Sequence, residues 1–553
     1  MWKQPVIGLA LLGLAEAVIS LGPYFEYRGR ADAEGGGGLE KGLGDVRSGA
    51  FVTRAAGVLS ETVKLPLDHF GNHPGTFENR YWVLEEFYQP GNPVFIYDAG
   101  EGNAEPSVQF RLANSTSFFR QMVQEFNGIG IVWEHRYYGA SSHVNISRTT
   151  PVEEFRWLNT AQALADIPAF ANNFTLRSFP NIDLTPASTP WVFIGGSYPG
   201  MRAAFVRQKY PETIFASFSS SAPVQAQIDM SVYFEQVYRG LNGLGFKNCT
   251  NDIVAAIKYI DDQLSRADTS AAIKKQYLGA GAENNSNEGF ADALTFIYYS
   301  WQSDEAEGTP ANMRSFCDWI STNPETGGVS GEEGWAKSKG AKFTSDRWAS
   351  WQAFGTVVNY YAPTSCAGYY GNSTVGQPNC RLDDPFPGPE AVSWTYQCCS
   401  EWGYFQSANL GPNQIVSSYN SLKHRQDICY RQFPQGLSSG LLPSSPAVDK
   451  VNREYGGWDL RPSNVFFSGG EYDPWGALSL LSEEPLAPKG VKLTQDIPEE
   501  GVSTPRGEVF GYLLKGAAHC FDLRTTWPDG ANSRRIFTTA LRKWLGSFKK
   551  KTK

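Results

Sequence analysis

Trp191-Val-Phe-Ile-Gly-Gly-Ser-Tyr-Pro-Gly-Met-Arg-Ala-Ala-Phe-Val-Arg-Gln-Lys-Tyr210 decides the reading of this chain. Trp191 to Ile194 favour a strand, Gly195 and Gly196 follow, and the residues after Ser197 read as a helix that Pro211 stops. A serine on so tight a strand-to-helix turn is a nucleophile elbow. The glycines leave room for the strained backbone that lifts Ser197 Oγ above a sheet. The N–H groups opening the helix face that oxygen and stabilise negative charge developing beside it. Where Gly-x-Ser-x-Gly has its last glycine the chain has Pro199, and Gly200 comes next. Proline suits a first helical turn, because its φ is right and its missing N–H had no partner there. The N–H of Tyr198, the usual second oxyanion donor, survives.

Such an elbow is the centre of the α/β-hydrolase fold, a mostly parallel sheet with helices on both faces. The flanking sequence predicts that sheet. Asn79-Arg-Tyr-Trp-Val83 reads as an edge strand, and Pro93-Val-Phe-Ile-Tyr97 as a buried strand ending in Asp98-Ala-Gly100-Glu101-Gly102-Asn103. Ile129 to Trp133 is another apolar strand, Asn159 to Phe174 a helix, and Ile214 to Phe218 the strand after the elbow helix. Strand, crossover helix, strand at this spacing means parallel pairing. From Gln225 to Pro446 strand patterns give way to helical ones such as Ile253 to Leu264, with most of the cysteines. That predicts a helical cap over the C-terminal edge of the sheet, where ligands of such folds bind. The sheet resumes at Asn464-Val-Phe-Phe467 and at Val509 to Leu514. A closing helix then sets Ile536, Phe537, Ala540, Leu541, Trp544, Leu545 and Phe548 on one face. The expected organisation is a hydrolase domain in two parts, 61–224 and 447–553, with 225–446 as its disulfide-bonded cap. Residues 21–60, with Gly35 to Gly38 in a row, read as a linker or pro-segment, and 1–20 as a signal peptide.

Of 553 residues, 41% are hydrophobic and 14% aromatic, ample for a large core. A net charge of −8 argues against nucleic acid or an anionic membrane as partner. Met1 to Ser20 combines Lys3, an apolar run from Pro5 to Leu14 and Ala15-Glu-Ala17, the form of a secretory signal and too short to span a bilayer. No other apolar stretch is long enough for a membrane span. Sequons at Asn114, Asn145, Asn173, Asn248, Asn284 and Asn372 predict glycosylation. Seven of the eight cysteines lie between Cys249 and Cys429, so bridges are expected to staple that region. Paired Cys-x-x-Cys units are missing and histidines number six, so neither a metal nor another cofactor is expected. The basic tail Lys549 to Lys553 reads as a solvated end. The expected location is secreted, or a lysosome- or vacuole-like compartment, with activity at mildly acidic pH.

An α/β-hydrolase supplies its triad in the order serine, acid, histidine, the last two on loops after the late strands. Asp473, in Ser468-Gly-Gly-Glu-Tyr-Asp-Pro-Trp475, and His519, in Lys515-Gly-Ala-Ala-His-Cys520, occupy those places. Serine needs an imidazole to take its proton, and the imidazole needs a carboxylate to fix its tautomer. His135 and His143 precede the serine, the wrong order for this fold. His424 falls in the cap and is expected to face solvent or a packing contact. Asp459 precedes the resumed strand, and Asp522 is expected to pair with Arg524.

Across residues 61–548 the chain resembles the serine peptidase family of lysosomal prolyl carboxypeptidase and dipeptidyl peptidase II. The resemblance rests on Leu67-Asp-His-Phe70, Asn79-Arg-Tyr-Trp82, Glu134-His-Arg-Tyr-Tyr-Gly139, Gly195-Gly-Ser-Tyr198, Tyr210-Pro211 and Ser220-Ser-Ala-Pro223. It continues with Trp394-x-Tyr-Gln397, Cys399-Ser-Glu401, Asp473-Pro-Trp475 and Gly516-Ala-x-His519-x-x-Asp-Leu-Arg524. It implies an α/β-hydrolase with a helical cap that cleaves after proline, with Ser197 as nucleophile, Asp473 as orienting acid and His519 as general base. It implies oxyanion donors at the N–H of Tyr198 and in the Gly100-Glu101-Gly102 turn, and a proline pocket lined by Met201 and Trp475. A flat aromatic and a thioether suit a pyrrolidine ring, which offers no hydrogen bonds. The resemblance also implies a bridge between Cys399 and Cys429. Pro199 departs from the family's glycine, Cys520 stands where prolyl carboxypeptidase has a second histidine, and Asp98-Ala-Gly100 lacks the asparagine usual before the glutamate.

The expectation is a secreted, glycosylated serine exopeptidase acting on proline-containing peptides, as a Pro-Xaa carboxypeptidase or a dipeptidyl peptidase. Glu101 and Glu401 are the candidates for holding a substrate amine. A homodimer is compatible with the sequence. A carboxylesterase or lipase on the same fold is the alternative, against which Asp473-Pro-Trp475 argues. A non-catalytic binding protein of this fold is the third reading.

Overall fold

The computed structural model describes residues 57–303, 312–362, 364–371 and 379–549. The expected signal peptide, nearly all of the linker, Asn372 and all of the basic tail but Lys549 lie outside the described residues.

The strands run, in chain order, β1 Val58–Pro66, β2 Thr76–Leu84, β3 Val94–Asp98, β4 Ile129–Trp133, β5 Trp191–Gly196 and β6 Ala216–Ser220. They continue with β7 Gln227–Asp229, β8 Gly403–Phe405, β9 Val465–Gly470, β10 Lys492–Thr494 and β11 Glu508–Leu514. One sheet has the order β1-β2-β4-β3-β5-β6-β9-β11-β10. Its β1–β2 and β2–β4 pairs are antiparallel, and the rest are parallel. Every residue of β3 to β6 is buried, which explains their unbroken apolar runs: a parallel sheet covered on both faces leaves no polar side to alternate with. From β3 the chain steps to β4 on one side and β5 on the other, so the C-terminal ends of β3 and β5 flank a topological switch point.

Side chains of β5 divide by period two. Trp191 and Phe193 enter one core with helices α2 (Thr160–Ala171) and α3 (Tyr198–Lys209), which follow α1 (Phe118–Glu125) in the chain. Val192 and Ile194 face the opposite core, built on Phe119, Met122 and Val123 of α1 and on Phe537, Leu541 and Trp544 of the closing helix Gly530–Leu545. The fold is therefore an α/β hydrolase. Two expectations need correction. The stretch around Asn79–Val83 is not an edge strand, because β1 pairs outside it along its whole length, starting at Val58 rather than Glu61. The section expected to lack strands contributes both β7 and β8, which pair in parallel as a small second sheet.

Between β7 and β9 the chain is otherwise mainly helical, with α4 Val232–Gly243, α5 Lys247–Leu264, α6 Asn287–Tyr299, α7 Pro389–Gln397 and α8 Leu422–Gln432 among its elements. Their apolar faces join the core on the α2/α3 side of the sheet, so cap and sheet share one hydrophobic interior. Three disulfides staple this section: Cys249–Cys317, Cys366–Cys380 and Cys399–Cys429. No helix among the described residues is long and apolar enough to cross a membrane.

Candidate active site

β5 ends at Gly196 and α3 begins at Tyr198, so Ser197 alone makes the turn, at φ 67° and ψ −131°. That conformation is strained for a residue with a Cβ, and the surroundings over-determine it. A Cβ on Gly195 would stand 2.1 Å from Pro199 O, and one on Gly200 would stand 2.3 Å from Ser220 O. Ser197 N–H donates to Ser220 O at 2.9 Å, pinning the turn to β6. Pro199 has a matching site. Gly100, in the turn after β3, has φ 70°, and a Cβ there would meet Pro199 Cγ at 2.4 Å, so the ring packs where only glycine leaves room.

Asp473 follows β9 and caps the short 3₁₀ turn Pro474–Leu478, accepting the N–H of Trp475 at Oδ1 (2.9 Å). The same oxygen lies 2.8 Å from His519 Nδ1. An ionised carboxylate only accepts, so Nδ1 carries the proton and Nε2 is the basic nitrogen. Nε2 is buried and has no hydrogen-bond partner. Burial lowers the proton affinity of the imidazole, but the Asp473 charge, with Cys520 beside it, outweighs burial and raises the pKa to about 10. Ser197, Asp473 and His519 are all buried, at 4%, 0% and 1% exposure, although each sits on a loop. The loops lie at the C-terminal ends of β5, β9 and β11, neighbouring positions in this sheet but for β6.

Glu101 follows the Gly100 turn. Its carboxylate is buried, its Oε2 has no partner, and burial pushes its pKa up to about 8 against the opposing pull of its own backbone N–H. Gly102 has open space where a Cβ would be. Asp98 holds this turn from below: its Oδ1 accepts the Gly100 N–H (3.1 Å) and its Oδ2 pairs with Arg202 of α3 (2.5 Å).

The side chain of Tyr198 lies in a chain of hydrogen bonds whose direction is determined. His135 Nδ1 is 2.6 Å from the carbonyl of Arg136 and must donate to it, and burial holds this imidazole neutral. His135 Nε2 therefore accepts from the Tyr198 hydroxyl (3.0 Å). The Tyr198 oxygen accepts from Gln397 Nε2 of α7 (2.8 Å), and Gln397 Oε1 accepts from the Tyr138 hydroxyl (2.6 Å). His135 thus anchors the side chain of the residue that follows Ser197.

Met201 and Trp475 are brought together by a residue sequence reasoning missed. The Tyr404 hydroxyl donates to Pro223 O (2.6 Å) and lies 3.7 Å from Met201 Sδ, while its ring meets that of Trp475 edge-on at 5.2 Å. Tyr404 has φ 58°, directly after Gly403 at 71°. Two positive φ values in a row mark a kink no composition signal announces. Trp394 and Trp402 stack on the same ring.

Other candidates have different work. Glu401 accepts the N–H and hydroxyl of Thr160 at 2.8 and 2.7 Å, so its carboxylate caps α2 rather than waiting for an amine. Asp522, expected beside Arg524, accepts from Ser220 Oγ and the Leu523 N–H, while the Arg524 guanidinium lies over Phe521. His143 bonds Glu154, and His424 is buried against the cap. Asn145, Asn173 and Asn284 are exposed; Asn114 and Asn248 are half-buried, and the Asn248 amide bonds Ser330. Cys520 Sγ lies 2.9 Å from where a Cβ on Gly196 would be, behind the nucleophile turn. Among the described residues no group of three or more His, Cys, Asp or Glu could hold a metal ion.

The profile of serine carboxypeptidase S28 matches residues 65–488. The chain is 28% identical over 461 residues to a protein of Arthroderma benhamiae named "Probable extracellular serine carboxypeptidase", an alignment that covers 78% of this chain and 61% of that one. It is 27% identical to the thymus-specific serine proteases of Mus musculus (88% of this chain, 87% of that one) and Homo sapiens (97% and 94%).

Proposed function

Since this chain belongs to the serine carboxypeptidase S28 family and is a serine-type hydrolase of peptides, we propose that it is an exopeptidase that cleaves at prolyl bonds through an acyl-enzyme on Ser197. The observation that carries this reading is the Asp473–His519 bond: it commits Nδ1 and leaves a buried, unpartnered Nε2, on a loop whose next residue, Cys520, packs against Gly196 just before Ser197. Ser197 Oγ attacks the scissile carbonyl carbon while His519 Nε2 takes its proton, and Asp473 stabilises the imidazolium. The N–H of Tyr198, with an N–H of the Glu101–Gly102 turn, holds the oxyanion of the tetrahedral intermediate. His519 returns the proton to the leaving amine, and water, deprotonated by the same nitrogen, releases the acid product.

Proline preference is supported by the chemistry of the cluster Met201, Tyr404 and Trp475. Met201, Tyr404 and Trp475 offer polarizable and flat apolar surface with its polar atoms already bonded, which suits a ring that needs shape rather than hydrogen bonds. Passage through the secretory pathway is supported by the leader, the sequons and three disulfides.

A matched panel tests this reading: blocked Pro-Xaa peptides, free Xaa-Pro reporters, internal-proline peptides and simple esters, each against wild type and Ser197→Ala. Turnover of one prolyl class, lost in the variant, is expected. Ester turnover with no proline preference would overturn the specificity and favour a carboxylesterase.

A further inference from the structure

The acid and base loops are tied together by the cap. Immediately after α6, the 3₁₀ turn Ser300–Ser303 carries Trp301 and Gln302, which are 1% and 3% exposed. The Trp301 indole Nε1–H donates to Tyr472 O (3.0 Å), the carbonyl directly before Asp473. Gln302 O accepts the backbone N–H of His519 (3.3 Å). Gln302 Oε1 accepts from Trp475 Nε1 (3.2 Å), two residues after Asp473, and Gln302 Nε2 donates to the Tyr233 hydroxyl (2.8 Å) on α4. Two adjacent cap residues thus hold the Asp473 loop on both sides and the His519 loop at its backbone.

α4 is shaped for this dipeptide. A Cβ on Gly240 would stand 2.4 Å from Trp301 Cζ2, and one on Gly243 would stand 2.2 Å from the Tyr472 hydroxyl oxygen. Neither glycine has a positive φ, so their use here is close approach, not backbone freedom. No substrate-facing task is left for these polar atoms, since each is already bonded to a loop or to α4.

We infer that Trp301 and Gln302 are positioning residues for the catalytic pair, fixing the Asp473 loop relative to the His519 loop so that cap docking and triad geometry are one event. The inference rests on the triad reading given above. Hydrogen bonds to an imidazole and its carboxylate act only within a few tenths of an ångström, and a misplacement of about 1 Å can cost roughly a hundredfold in rate. A cap that merely restricted entry would need no bonds to the loops beneath.

The test uses the full chain with Trp301→Phe, which keeps the ring and removes one donor, and Gln302→Leu, which keeps volume and removes both side-chain bonds. Active sites are counted by fluorophosphonate labelling, so unfolded protein does not enter the rate. Per labelled site, kcat is expected to fall about tenfold in each variant, with KM changed less than about twofold in Trp301→Phe, which leaves the Trp475 tether intact. The acidic limb of kcat/KM is expected to move to lower pH, because a loosened Asp473 raises the His519 proton affinity less. The titratable groups around that imidazole are Asp473, Cys520 and Glu101. Wild-type kcat and an unmoved limb per labelled site would overturn the inference, even if both variants melt earlier. A wild type that neither labels nor turns over would instead sink the triad reading, and this inference with it.

Discussion

Gln397, the last residue of a cap helix, donates to the hydroxyl of Tyr198, the residue beside the nucleophile turn, at 2.8 Å. The bond joins two positions that are 199 residues apart in the chain. It ties the cap to the turn that carries Ser197. Tyr198→Phe leaves the Gln397 amide and His135 Nε2 buried without partners. Each of the two orphaned groups costs about 1–3 kcal/mol, so chemical denaturation should show a loss of about 2–6 kcal/mol. A change within experimental error would mean that water replaces the hydroxyl.

Arg202 and Asp98 form a buried pair, each 1% exposed, under the Gly100 turn. Arg202→Met strands the carboxylate that orients the Gly100 N–H. Removing one partner of such a pair costs about 3–5 kcal/mol. Urea unfolding of the variant should show it, and Asp98→Asn combined with Arg202→Met should recover part of the loss.

The His519 pKa lies above its ordinary value of 6.5 because Asp473 outweighs burial. A base must be unprotonated to act, so kcat/KM should rise with pH from the acid side, against the mildly acidic optimum expected from the sequence. Stability runs the other way. A raised histidine contributes stability that is fully present below its unfolded value and is lost as pH rises through about 10. Asp473→Asn should therefore lower the acidic limb, reduce kcat by roughly 10⁴-fold as in other serine triads, and destabilise more at pH 6 than at pH 10.5. Maximal wild-type turnover at pH 4 to 5 would contradict this ordering.

The Tyr404 hydroxyl sits between Pro223 O and Met201 Sδ. Tyr404→Phe should leave esters of small acids unaffected while raising KM for prolyl substrates several-fold, because the ring tilts once its tether is gone. Equal effects on both substrate types would mean that Tyr404 does not shape the proline site.

The strand-to-helix turn at Ser197, the parallel strands and the placing of Asp473 and His519 after late strands were legible because each is a local pattern: an apolar run, a glycine pair, a residue at a strand end. Three of the motifs that carried the resemblance are joined by internal ion pairs. Arg80 pairs with Glu134, and Arg136 pairs with Asp166, to which His69 also bonds. The charged residues of Asn79-Arg-Tyr-Trp82 and Glu134-His-Arg therefore fasten strands and helices to one another. β1 was missed because its polar, half-exposed sequence is stabilised by pairing with β2 and not by burial. Glu401 was misread because helix capping across 241 residues leaves no sequence signature. Tyr404, Gln397 and Trp301-Gln302 act through contacts that exist only once the cap has folded onto the sheet. No periodicity encodes them.

The most direct test of the central claim is to label the wild-type protein with a fluorophosphonate and map the adduct by mass spectrometry. The account predicts a single adduct on Ser197, lost in Ser197→Ala and formed far more slowly in His519→Ala. An adduct on another residue, or none from a folded protein, would contradict it.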